Sequence, residues 1–232
     1  MEFYIYENNS QFVYCVENPE GRVYEKLKDD PFWTKTEPNK FIKSYPLDTN
    51  WDDAWYLDKK YKEIIINNFS KHGKAWIEQV FDWKSVLLFL AKIFKDNQIE
   101  YWITGSVSEA LLGLNIIPND IDIVVHTKDF YKVKDLTFNY AIEPLGDNKG
   151  AWIIRYFGKL IIDGASVDIA SDEKMNVENL KIPYEKISWE GYDLCITSLK
   201  SRYEIELMRK RADRIKIIEE YLDSKQMKDI NK

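Results

Sequence analysis

Between Glu100 and His126 the hydrophobic pattern changes period twice, and this constrains the fold more than any other feature of the 232-residue chain. EYWITGS reads as a short strand ending at a glycine. VSEALLGL then reads as a short helix with Leu111, Leu112 and Leu114 facing inward. NIIPNDIDIVVHT follows as a turn and a second strand, apolar at Ile121, Ile123, Val124 and Val125. A strand, a tight turn, a helix and a strand within so few residues predict helices backing a small β-sheet, and an α+β fold is expected.

The flanking segments extend this core. Trp76, Val80, Trp83, Leu87, Leu90, Ala91 and Phe94 recur three or four apart, predicting an amphipathic helix from Ala75 to Asn97, broken or bent near Phe81-Asp82. AWIIRYF and KLIID are expected to form a hairpin joined at Gly158-Lys159. SVDIAS extends or follows its second arm after a break at Gly164, for a sheet of about four strands. TSLKSRYEIELMRKRADRIKIIEEYLDSKQ predicts one or two C-terminal helices, capped by Thr197 or Ser198, with an apolar stripe of Leu207, Ile215, Ile218 and Leu222.

Residues 1–74 differ in character and are expected to form a β-rich accessory region ahead of a core at 75–232. FYIY, QFVYCV and RVYEKL, separated by ENNS and ENPEG, predict a β-meander. The proline- and tryptophan-rich stretch from Asp29 to Tyr61 is expected to be irregular and docked by its aromatics, for packing rather than base stacking.

Composition narrows the partners. Against 33 basic residues stand 39 acidic ones, a net charge of -6, which disfavours binding bulk DNA through its backbone but leaves room for a locally basic groove. Cys15 and Cys195 form no CxxC pair, so a structural zinc site is not expected. The N-terminus lacks the pattern of a signal peptide and no apolar run suits a membrane span, so a soluble, cytoplasmic protein is expected.

The chemistry concentrates in YWITGSVSEALLGLNIIPNDIDIVV. Asp120 and Asp122, two apart on a strand, project to the same face while Ile121 and Ile123 turn to the core. Adjacent carboxylates repel unless one stays protonated or a cation sits between them, and hard oxygen ligands suit magnesium or manganese. Gly105-Ser106 allows close backbone approach at a helix start, a phosphate cradle that is not a P-loop. Asp163 sits in an Asp-Gly pair and is assigned to turn geometry. His72 and His126 are isolated and receive no role. The basic run of Arg209, Lys210, Arg211, Arg214 and Lys216 is either a solvated face or supplies one or two residues, or Lys200 before it, that reach the triphosphate or an anionic acceptor.

Gly105-Ser106, thirteen intervening residues, Asp120-Ile121-Asp122 and the later Val167-Asp168-Ile169 together resemble the signature of the polymerase-beta-like nucleotidyltransferase superfamily. The resemblance covers roughly residues 75–220, includes small bacterial members of the antibiotic-modifying and toxin–antitoxin types, and does not reach the N-terminal region. It implies that Asp120, Asp122 and Asp168 are the catalytic acids and metal ligands, with Asp168 as third ligand or base, and that Gly105 and Ser106 hold the nucleotide. It also implies Mg2+ or Mn2+, a nucleoside triphosphate donor with ATP first among them, and a hydroxyl acceptor on a small molecule, protein or RNA. Two other readings use the same residues: a non-catalytic, antitoxin-like module binding a nucleotide or a partner, and a metal-dependent phosphohydrolase.

Overall fold

A computed structural model describes residues 1–8, 10–47, 55–149, 154–171 and 184–230. Two sheets and seven α-helices make up the described residues, an α+β fold. The first sheet is antiparallel: β1 (Glu2–Asn8), β2 (Gln11–Glu17), β3 (Thr34–Glu37) and β4 (Lys40–Pro46), in the order β1-β2-β4-β3. FYIY and QFVYCV are strands as expected, whereas RVYEKL is not. It lies in helix α1 (Gly21–Asp29), whose buried residues Val23 and Leu27 are four apart. So short an apolar run fits either period, and burial of one helical face decides it.

The stretch after Asp29 is likewise more regular than expected, since it contains β3, β4 and a 3-10 turn at Trp55–Leu57. Phe41 and Tyr45 of β4 are buried, and Lys43 stands between them on the same side of the alternation. Trp51 lies outside the described residues.

Two helices replace the single one expected across 75–97. α2 (Lys59–Glu78) is capped by Asp58 and ends at Gln79 in the left-handed conformation; α3 (Trp83–Asp96) is capped by Asp82. The break near Phe81-Asp82 is where it was expected, but α2 begins well before Ala75 and residue 75 falls inside it. Val80 lies in the break and is exposed.

The second sheet has seven described strands rather than four, in the order β10-β11-β5-β6-β9-β8-β7. These are β5 (Tyr101–Thr104), β6 (Ile121–Val125), β7 (Ala141–Asp147), β8 (Tyr156–Ile162), β9 (Ala165–Ser171), β10 (Tyr184–Trp189) and β11 (Tyr192–Thr197). β6 pairs parallel with β9, and β11 parallel with β5; the other neighbours are antiparallel. Helices α4 (Gly105–Leu111) and α5 (Thr127–Leu136) follow β5 and β6.

The expected turn at Gly158-Lys159 is instead the interior of β8. A Cβ on Gly158 would lie 2.5 Å from the Leu145 Cα, so glycine serves here to let β7 approach. The hairpin closes at Asp163-Gly164, both at positive φ (47° and 82°), a two-residue turn that puts Asp163 in the role the sequence assigned it. Residues 151–153, the start of the expected AWIIRYF strand, lie outside the described residues.

The chain ends in α6 (Leu199–Arg209), capped by Ser198, and α7 (Ala212–Ile230). Ile218 of the expected apolar stripe is buried, while Leu207 and Leu222 are exposed. One hydrophobic core runs from Phe12 and Tyr14 of the first sheet through Phe69 and Trp76 of α2 to Ile123 and Ile169 of the second. No helix among the described residues is long and apolar enough to cross a membrane.

Candidate active site

Strand register builds the site. Thr104 of β5 faces Asp122 of β6, Asp122 faces Asp168 of β9, Asp168 faces Lys159 of β8, and Lys159 faces Glu143 of β7. Directly paired residues share a sheet face, so five adjacent strands carry one row of polar side chains. Register shifts on both sides of Glu143 mark bulges that let an otherwise buried strand take part.

Asp120 enters from the turn before β6. One carboxylate oxygen from each of Asp120, Asp122 and Asp168 lies within 4.8 Å of the others. Burial, then the charges of Asp120 and Asp168, pushes the Asp122 carboxyl up to about 8. Burial also pushes Asp168 up to about 6, against the pull of Lys159. Lys159 donates to both Asp168 oxygens at 2.6 Å. Burial opposes its charge, but Asp168 and Glu143 outweigh that and raise the ammonium pKa.

Gly105 is demanded by its surroundings. It has φ +66°, and a Cβ there would lie 1.8 Å from the Asp122 Oδ2, so the backbone at the start of α4 rests directly against the acid. Ser106 is buried, and its Oγ has no hydrogen-bond partner among the described residues. A buried hydroxyl left unsatisfied beside an acid cluster is suited to a ligand oxygen.

Gly105, Ser106, Asp120 and Asp122 line a cavity of about 200 Å³ whose opposite wall is Arg202, Arg209, Arg211 and Arg214. This is a locally basic groove on an acidic chain. A buried ion network ties the wall to α4. Glu109 accepts from Arg202 Nε at 2.9 Å and lies 3.4 Å from Arg214 Nη1, while Glu206 accepts from Arg202 and, at 2.7 Å, from Arg211 Nη2. Of the basic run, then, Arg209, Arg211 and Arg214 face the acids, whereas Lys216 lies on an exposed face, 3.8 Å from Glu220.

The residues fit a divalent cation: the donor set is all carboxylate, its oxygens converge, and the acids disfavour each other's ionised form without one. They also fit a phosphate, through the orphaned Ser106 hydroxyl and the arginine wall. The sequence did not point to Arg202, Glu109, Lys159 or Glu143. Local signals existed for two of them: the i,i+4 spacing of Arg202 and Glu206, and the place of Lys159 opposite Asp168 across the Asp163-Gly164 turn. His126 packs edge-on against Trp102 and lies 3.4 Å from Glu100.

No family model and no curated protein matches the chain. Three solved structures resemble it. One, from Thermotoga maritima, is 23% identical with a TM-score of 0.48 and covers 61% of this chain and 93% of its own. ANT(2″)-Ia, solved with adenylyl-2″-tobramycin, is 10% identical with a TM-score of 0.41, covering 62% and 91%. An antigenic protein of Paracoccidioides brasiliensis is 16% identical with a TM-score of 0.38, covering 58% and 72%. The first and the third are described as nucleotidyltransferase or nucleotidyltransferase-like proteins. At these scores the likenesses decide nothing about chemistry, which rests on the residues themselves.

Proposed function

We propose that the protein is a metal-dependent nucleotidyltransferase that moves a nucleoside monophosphate from a nucleoside triphosphate, ATP first among them, to an acceptor hydroxyl, releasing pyrophosphate. The observation that carries this reading is the convergence of Asp120, Asp122 and Asp168 beside an arginine-walled cavity that includes Gly105 and Ser106. Magnesium or manganese held by the three acids would neutralise the charge that develops on the phosphates.

The chain's own groups supply the rest. Arg209, Arg211 and Arg214 bind and orient the triphosphate, and the Ser106 hydroxyl donates to a phosphate oxygen. Gly105 lets that phosphate approach the acids. Asp168 accepts the proton of the acceptor hydroxyl, whose oxygen bonds to the α-phosphorus. The bond from that phosphorus to the α,β-bridging oxygen breaks, and pyrophosphate departs with the electron pair.

The test is thermal unfolding with each of the four nucleoside triphosphates, with and without magnesium, on the wild type and on the Asp120→Asn, Asp122→Asn double variant. A ligand at about 100 times its Kd stabilises by about 2.7 kcal/mol. At about 2–4 °C per kcal/mol for a chain of this size, the midpoint should rise by about 5–11 °C. A magnesium-dependent shift that disappears in the double variant is expected. No shift with any triphosphate would sink the reading.

A further inference from the structure

A second and larger cavity, of about 810 Å³, meets the acid cluster from the other side, with Asp168 in its wall and Gln79 shared with the arginine-walled cavity. Its floor is the far half of the polar row, namely Asp168, Lys159 and Glu143, continued by Lys43 from β4. Its remaining walls include four aromatic residues, Trp33 and Phe32 beyond α1, Trp76 of α2 and Phe157 of β8, with Asp29 and Asp30 beside them. Residues 26–43 of the N-terminal region thus close a cleft that the second sheet alone would leave open.

The charges on the cavity floor already have their opposites, while Asp30, half-buried in the wall, accepts from the Phe32 backbone N–H at 2.8 Å. Lys43 Nζ lies 2.5 Å from Glu143 Oε1, and Lys159 binds Asp168. The Lys43 ammonium also stands over the rings of Phe32, Tyr45 and Trp76 at 5.4, 5.5 and 5.8 Å, where a cationic ligand would otherwise be drawn. Lys26 donates to Gln79, and Asp29, which is exposed, lies where water reaches it. A polycation meets a resident ammonium at the aromatic wall. An anion meets Glu143, Asp168 and the donor's own phosphates. An apolar ring meets the exposed Phe32 and the small uncovered parts of Trp33 and Trp76, which at 8% and 7% exposure offer no open stacking platform for a nucleic acid strand. The volume lies in the range of small-molecule sites.

We infer that this cavity is the acceptor site and that the acceptor is an uncharged small molecule with a flat, apolar ring body and a hydroxyl that reaches Asp168. The inference rests on the nucleotidyl-transfer reading and names the substrate class of that same site. The hydroxyl oxygen forms the new bond to the α-phosphorus, its proton passes to Asp168, and pyrophosphate leaves. Specificity then belongs to the N-terminal region and chemistry to the second sheet.

The experiment incubates the full chain with magnesium and the α-32P-labelled triphosphate that gives the thermal shift. The probes are a panel of uncharged ring-bearing alcohols, chloramphenicol among them, with tobramycin, glucose 6-phosphate and a short single-stranded RNA as cationic, anionic and polymeric alternatives. Label is expected on an uncharged alcohol and on none of the alternatives. Phe32→Ala, at a residue 64% exposed and so safe for folding, is expected to raise the acceptor KM about 5-fold or more, leaving the triphosphate KM unchanged. Ile154→Trp, which narrows the cavity, should act in the same direction.

Label confined to tobramycin, glucose 6-phosphate or RNA would overturn the inference. So would an acceptor KM indifferent to both variants, or no labelled alcohol while the magnesium-dependent nucleotide shift persists. Loss of that shift in the wild type is a separate failure, that of the transfer reading itself.

Discussion

Lys159 stands where two demands on one carboxylate meet. Its ammonium binds both oxygens of Asp168, and Asp168 is one of the three acids whose oxygens converge for a cation. An ammonium and a divalent ion thus draw on the same lone pairs, and Lys159 stabilises the acid cluster when no ion is present. Replacing it in Lys159→Gln removes the cation and keeps most of the side chain's volume. Removing one partner of a fully buried pair costs about 3–5 kcal/mol. These side chains retain 21% and 14% exposure, so solvent screens part of the loss and about 2–3 kcal/mol is a fairer figure. The metal-free midpoint should fall by roughly 4–12 °C. The rise on adding magnesium should be larger than in the wild type, because Asp168 then has the ion as its main cation. Thermal unfolding of both proteins across a magnesium series checks this. An unchanged magnesium-induced rise would show that lysine and ion do not compete for Asp168.

Among the elements, α6 and α7 are held to α4 by charge more than by apolar packing. Arg202 is 4% exposed and bridges Glu109 and Glu206, both fully buried, while Arg211 and Arg214 approach the same two carboxylates from the start of α7. Arg202→Met would leave two buried carboxylates with one arginine each. A cost of about 3–5 kcal/mol in unfolding free energy is expected, measured by urea denaturation. A second expectation is that triphosphate affinity falls, because Arg211 and Arg214 depend on that network for their position; a destabilised variant that binds triphosphate as tightly as the wild type would contradict it. Sequence spacing made some of this level readable and hid the rest. β5, α4 and β6 show because their periods are unmixed and their boundaries are marked by Gly105 and Pro118; Asp120 and Asp122 stand out by their spacing of two, and Asp168 by the family resemblance. β4 and β7 stay hidden because Lys43 and Glu143 sit at buried positions. Each reads as a surface residue until the other, 100 positions away, is set against it. β7 also carries Pro144 and two bulges. Lys159 was within reach: once Asp163-Gly164 is taken as a two-residue turn, counting back along both arms pairs it with Asp168. β10 and β11 offered a similar cue in Glu190-Gly191, both at positive φ.

At the scale of the whole molecule, the question is whether the N-terminal sheet is an appendage or part of the cooperative unit. Its aromatic face is covered by α2: Tyr14 stacks edge-on with Phe69 at 5.0 Å and Phe3 with Phe69 at 5.7 Å, and Phe69 and Trp76 contact each other at 5.9 Å. The same helix lies on the second sheet, where Tyr61 accepts a hydrogen bond from the Leu145 backbone at 2.9 Å. Among the described residues, direct links between the sheets include Tyr14 Oη to the Ile142 carbonyl at 2.7 Å and Lys43 to Glu143. Helix α2 is thus a shared wall, and removing the first sheet would expose Phe69, Trp76 and the Glu143 carboxylate together, a contiguous apolar face with an unpaired buried charge. Two sheets that share one core and a buried ion pair should unfold in one step. Urea unfolding followed by tryptophan fluorescence and by far-ultraviolet circular dichroism is expected to give coincident midpoints, because the tryptophans sample both sheets and their common helix. Removing residues 1–47 should leave a chain that does not fold alone rather than an active core lacking specificity. Two separated transitions, or a folded truncated chain that still shows the magnesium-dependent nucleotide shift, would make the first sheet a removable module. Cooperative loss of both would mean that the proposed acceptor cavity and the cluster of Asp120, Asp122 and Asp168 are built by a single folding event, so that substrate specificity could not change by exchanging the N-terminal region alone.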